Sequence, residues 1–117
     1  MEAIRRIPGA FTGRSSGVVY GPMGWAVATS ETESDDVQIQ TASALSKLDR
    51  VLGEMGTDKT RLLSATVYLT DITRKQEMDQ AWCDWIGSDP QHWPQRACVE
   101  AGLHRSDLVE IVVLAAC

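Results

Sequence analysis

"DLVEIVVLAAC", residues 107–117, decides how this chain folds. Valine, isoleucine and leucine dominate it, and such residues favour a pleated strand. Successive side chains of a strand point to opposite faces. Here both faces are apolar apart from Glu110. A strand of this kind needs cover on two sides. Helices of the same chain can cover one face, and the other then packs against another subunit.

Upstream, "RACVEAGL" (residues 96–103) is β-prone and is separated from the last strand by the turn "HRSD". The two segments read as a possible hairpin, which would carry Arg96 and Glu110 to one end of the sheet. Before them, "DITRKQEMDQAWCDWIG" (residues 71–87) places Met78, Trp82, Trp85 and Ile86 on one helical stripe. Such a stripe is far more often core than cofactor pocket. Thr73 followed by Gln76 fits a capping box. "RLLSATVYLT" (61–70) alternates as a strand with one strongly apolar face. "VQIQTASALSKLDRVLGEMG" (37–56) reads as a helix carrying Leu45, Leu48, Leu52 and Met55. Acidic residues before it and in its first turn suit the helix dipole, and Gly56 stands where a glycine cap belongs. "GVVY" and "WAVATS" flank "GPMG", giving two strands and a tight turn within 14–30. The order is β-β-α-β-α-β-β. It predicts an α+β two-layer sandwich with both helices on one face of a mixed sheet.

The 117 residues suit a single domain, 1–117, with no linker or internal repeat. Hydrophobic content of 44% and charged content of 23% are those of a soluble globular protein. No apolar run is long enough to span a membrane. The basic N-terminus lacks the apolar core of a secretory signal, so a cytoplasmic location is expected. A net charge of −5 argues against nucleic-acid binding, which needs a basic footprint. Cys83, Cys98 and Cys117 form neither a disulfide framework nor a metal motif, and His92 and His104 are isolated in loops. Neither a metal nor a cofactor is expected.

Four polar residues invite a chemical reading. Glu110 is the one charge in the apolar run "LVEIVVLAA". Burying a lone carboxylate is expensive, so it has a partner, lines a wet cleft or titrates abnormally; otherwise it sits at an exposed edge. Arg96 alone reads as a solvated or ion-paired side chain, though a guanidinium can also grip a substrate carboxylate through two parallel hydrogen bonds. Cys98 shares the strand face of Arg96 and reads alone as a small buried hydrophobe. Ser30 ends the second strand.

"PQRACVEAG" followed by "DLVEIVVLAA", with "LLSATVYLTD" and "VATSE" upstream, resembles the RidA/YjgF family of enamine/imine deaminases, some of whose members are described as endoribonucleases L-PSP. The resemblance runs from about residue 15 to the C-terminus. It implies a chorismate-mutase-like fold and a homotrimer with active sites in the clefts between subunits. It implies that Arg96 clamps the carboxylate of a small ligand and that Glu110 orients the water attacking an imine carbon. Ser30 and Cys98 would line the pocket. Two departures stand out. Thr29-Ser30-Glu31-Thr32 replaces the family's Thr-Ser-Gly-Gln, so Glu31 either pairs with Arg96 or points to solvent. The family's N-terminal tyrosine has no clear match; Tyr20 is offset into the turn. The implied activity is hydrolysis of 2-imino acids to 2-keto acids and ammonia. A non-catalytic trimer that binds small molecules or other proteins is the alternative, and ribonuclease activity is the weakest reading.

Overall fold

The computed structural model describes residues 3–117. Six strands form one mixed sheet: β1 (Ile4–Pro8), β2 (Ser15–Tyr20), β3 (Met23–Thr29), β4 (Leu62–Leu69), β5 (Gln95–Glu100) and β6 (Val109–Ala116). Helix α1 (Val37–Met55) joins β3 to β4, and α2 (Lys75–Ile86) joins β4 to β5. The spatial order is β1-β2-β3-β6-β4-β5. Strand β6 is antiparallel to both neighbours, and β5 runs parallel to β4. A parallel pair needs a long crossover, and α2 supplies it. The order β-β-α-β-α-β-β and the two-layer architecture therefore stand, with one strand added in front.

The added strand is β1. Its sequence, IRRIP, offers a single core residue, Ile7, among exposed neighbours, too little periodicity to read. Arg5 gives it a further anchor. Its guanidinium donates to the carbonyls of Glu54 and Met55 at 2.9 and 2.7 Å, at the C-terminal end of α1. A cation there satisfies carbonyls that lack helical partners and complements the helix dipole.

The hairpin joining 95–103 to 108–116 does not form. β5 ends at Glu100 and pairs with β4, with Ala65 beside Arg96 and Val67 beside Cys98. β4 lies between β5 and β6. A turn signal between two β-prone runs marks a reversal, not a pairing, and here the chain crosses over β4 instead.

One face of the sheet makes the core. Ala26 and Ala28 of β3, Ala65, Val67 and Leu69 of β4, and Ile111, Val113 and Ala115 of β6 meet Leu45, Leu48, Leu52 and Met55 of α1 and Met78, Trp82 and Ile86 of α2. Small residues on β3 let α1 sit close. A Cβ added at Gly17 on β2 would come within 2.8 Å of the Met55 sulfur. The opposite face is largely apolar too: Trp25 pairs laterally with Leu114 and Val27 with Val112. Trp25 is exposed there, as is Val99 of β5.

Local signals set the helix ends. Asp36 accepts a hydrogen bond from Ile39 N at 3.1 Å, and Gly56 closes α1 at φ 85°. No acidic residue lies within the first turn of α1 itself. The capping box expected from Thr73 and Gln76 is absent. Asp71 instead accepts from both the backbone and the hydroxyl of Thr73, at 3.0 and 2.6 Å. An ionised carboxylate two residues back is the stronger acceptor, and it captures the threonine. No helix among the described residues is long and apolar enough to cross a membrane.

Gln40 fixes the loops at one end of the sheet. It lies on the buried stripe of α1, 2% exposed. Its amide donates to the carbonyls of Ser34 (2.7 Å) and Ser106 (2.9 Å) and accepts from Leu108 N (2.9 Å). The loop after β3 and the loop before β6 are thus tied to one side chain. Replacing Gln40 with leucine strands these buried partners. Urea unfolding should show a loss of about 1–3 kcal/mol, the usual cost of a buried group left unsatisfied. A variant as stable as the parent would mean that water replaces the amide.

Candidate functional site

Glu110 occupies the centre of a three-strand row. Thr29 of β3 pairs with it on one side and Tyr68 of β4 on the other. Neighbouring pairs across strands stand about 5 Å apart, so Thr29 and Tyr68 stand beside Glu110 on its two sides. All three side chains are half-buried, on the sheet face away from the helices. Among the described residues, no ion pair engages Glu110 and no buried side-chain oxygen lacks a partner. No hydrogen bond to its carboxylate is found either, so its oxygens face solvent. Of the readings open to the sequence, the structure therefore supports a carboxylate on a wetted face.

Arg96 is placed differently. Its register beside Ala65 turns it toward α2. Nη2 donates to Asp79 Oδ1 at 2.6 Å, and the guanidinium lies 5.2 Å from the centre of the Trp82 ring. Lys75 Nζ donates to the other oxygen of Asp79 at 2.8 Å. Burial pushes the Asp79 carboxyl up, but the hydrogen bonds from Lys75 and Arg96 outweigh it and hold the group below its ordinary range. Asp79 is therefore ionised at neutral pH.

Arg96 and Glu110 are not brought together within one chain. They leave the sheet on opposite faces, with β4 between their strands. Three residues also separate their levels along β4, about 10 Å at 3.3 Å per residue. Two surface hollows, one between α1 and α2 and one between residues 33–35 and 106–108, include neither residue.

Glu31 does not approach Arg96. It pairs with Arg50 of α1 at 2.5 Å, and its backbone N–H donates to Ser43 Oγ. Both charged groups are about half exposed, so the pair contributes little to stability. Ser30 closes its own turn: Oγ accepts from Thr32 N at 3.0 Å and donates to Thr32 O at 2.7 Å. Cys98 shares the face of Arg96, as its spacing requires, and packs against the core. Burial pushes its thiol up, only partly offset by Arg96, which makes it a poor nucleophile at neutral pH. Tyr20 is exposed at the β2–β3 turn.

Sequence reasoning missed Asp79, Tyr68 and Gln40. Gln40 had a readable signal, since it lies three residues after Val37 and four before Ala44 on the apolar stripe. Asp79 had a weaker one, a carboxylate four residues after Lys75 and beside the buried Met78. Tyr68 had none, because only the pairing of β4 with β6 sets it beside Glu110.

Residues 13–117 match the sequence model of the family described as Endoribonuclease L-PSP. This chain belongs to that family, known also as RidA/YjgF. A RutC family protein of Haemophilus ducreyi is 44% identical over 85 residues, covering 72% of this chain and 71% of that one. The RutC family protein YoaB of Escherichia coli is 38% identical over 78 residues, covering 66% and 67%. Among solved structures, NMB1025 of Neisseria meningitidis, a YjgF family member, superposes with a TM-score of 0.89 at 34% identity, covering 97% of this chain and 94% of that one. Rv2704 of Mycobacterium tuberculosis, described as a YjgF/YER057c/UK114 family member, gives 0.87 at 25% identity, covering 98% and 100%. These structures share the two-layer α+β fold derived above.

The Asp79 ion pairs should be visible in the pH dependence of stability. The folded-state pKa is depressed, so the contribution is complete above the ordinary aspartate range. It is lost as pH falls through the folded value. The stability gap between the parent and Asp79→Asn should therefore be widest near neutral pH and shrink as pH drops below about 4. A gap independent of pH would show that the ion pairs contribute nothing.

Proposed function

We propose that this chain hydrolyses small reactive imines and enamines, of the 2-imino acid type, to 2-keto acids and ammonia. The observation that carries the reading is the position of Glu110: a carboxylate without a partner among the described residues, set between Thr29 and Tyr68 on a wetted sheet face, in a chain of this family. A carboxylate so placed can accept a proton from water as the water oxygen bonds to the imine carbon. That proton passes to nitrogen, giving a carbinolamine; the carboxylate then moves the hydroxyl proton to nitrogen as the C–N bond breaks, so that ammonia leaves and the keto group forms. General acid–base help of this kind is worth on the order of 10² to 10⁴ in rate. The imine is already reactive in water, so the scheme calls for no metal or cofactor.

Arg96 would receive the substrate carboxylate. Its separation from Glu110 within one chain favours a site completed by a second copy. The apolar face of Trp25, Val27, Val112 and Leu114 suits such packing, and a homotrimer of this domain is the assembly proposed. A cytoplasmic setting goes with this reading.

A second reading is favoured by one observation, the engagement of Arg96 with Asp79. With its arginine already matched, the chain could bind ligands in the same cleft without catalysis. The ribonuclease activity in the family's description fits poorly with a net charge of −5.

The test is ammonia release from enzymatically generated 2-iminobutanoate. Glu110→Gln should lower the rate by a factor on the order of 10² to 10⁴ at unchanged fold. Equal turnover in parent and variant would end the proposal, and no turnover in the parent would favour the binding reading. Mixing then tests the shared site. Arg96→Ala and Glu110→Gln chains, each inactive alone, should regain activity when unfolded and refolded together. Failure to complement would overturn the shared site.

A further inference from the structure

We propose that Asp79 is a built-in competitor for the substrate's carboxylate and sets the affinity of the Arg96 seat for acids. The inference rests on the reading of Arg96 as the carboxylate-binding group. Three observations carry it. First, the seat is built: the Arg96 side chain is only 19% exposed and its guanidinium lies against Trp82 of α2. Second, the seat is occupied. Asp79 Oδ1 lies 2.6 Å from Arg96 Nη2, where an incoming carboxylate oxygen would bind. Third, the occupant is itself held. Lys75 grips the second oxygen at 2.8 Å from one turn earlier on α2, so Asp79 does not swing away freely.

Chemical consequences follow from the geometry. A guanidinium offers a fork of N–H donors that fits one carboxylate well. A second carboxylate must either displace the first or sit beside it and be repelled. A neutral ligand meets neither obstacle. The chain should therefore discriminate weakly in favour of acids, and the cost should fall on binding and not on the chemical step. Glu31, which stands where the family pattern has a glycine, is tied to Arg50 and takes no part. Replacing Asp79 by asparagine keeps the shape and an acceptor oxygen but removes the charge. The freed guanidinium then has a charged partner only when a ligand supplies one.

The experiment is calorimetric titration of the full chain with 2-oxobutanoate and with its neutral amide, 2-oxobutanamide. The parent should bind the acid no more than a few-fold tighter than the amide. Asp79→Asn should bind the acid about tenfold or more tighter than the parent does, the amide being unchanged, as expected for a newly available charge-assisted pair. In turnover, Asp79→Asn should lower KM for 2-iminobutanoate and leave kcat within about twofold. The inference is overturned if Asp79→Asn and parent bind 2-oxobutanoate equally. It is overturned as well if the parent alone already prefers the acid to the amide by more than tenfold, a result that does not depend on the variant folding. Absence of turnover in every form would overturn the deaminase reading and leave these binding comparisons to decide the role of Asp79.

Discussion

Strand β6 is the constraint on which the rest of the structure depends. It is the last element made, yet it lies at the centre of the sheet, antiparallel to β3 and β4 on its two sides. Without it those strands have no common partner, and the two crossover units cannot share a sheet. Its inner residues Val109, Ile111, Val113 and Ala115 are all buried beneath the helices. Its outer residues place Glu110 in a three-strand row between Thr29 and Tyr68. A one-residue slip would exchange these sets, burying Glu110 under α1 and turning valine and isoleucine outward. The core and the candidate site are therefore specified by the same register.

That register is secured at the end where the candidate carboxylate lies. Gln40 binds Leu108 N and the carbonyl of Ser106, and Leu108 O accepts from Thr70 N at 3.1 Å. Leu108 is thus held from α1 on one side and from the end of β4 on the other, two residues before Glu110. The same amide holds Ser34 in the loop that follows Ser30 and Glu31. A single buried polar side chain thereby ties together the loop after β3 and the loop before β6. Buried polar groups are tolerated when every bond is made, and then they select one arrangement over others.

Much of this was legible in the sequence, for physical reasons that differ by element. Helix α1 and strands β2, β3, β4 and β6 declare themselves because their core residues recur at a fixed period. β1 does not, because one buried isoleucine has no period. The partner of β5 could not be read either. A β-prone run states that it pairs, not with what, and the parallel pairing with β4 depends on α2 crossing over. That one undetermined pairing also decided the candidate site. It turned Arg96 toward α2, away from Glu110, and gave it Asp79. The place of Glu31 in a motif leaves open whether it pairs with Arg96 or points to solvent, and in the folded loop Arg50 of α1 is its partner. Local sequence shows which charges exist; the fold decides which of them meet.

The charges on the two faces of the sheet follow opposite rules. On the helix face, Arg96, Asp79 and Lys75 are partly withdrawn from water, so each must be matched, and a network forms. On the open face, Glu110 keeps its solvent and needs no partner. A group that is fully satisfied by its own protein is stable but chemically idle. One that is satisfied only by water can act on whatever displaces that water. Family resemblance assigns Arg96 and Glu110 comparable weight, but the energetics do not. Glu110 has no ion-pair partner among the described residues, whereas any role for Arg96 in binding an acid must first compete with a carboxylate that the chain itself provides.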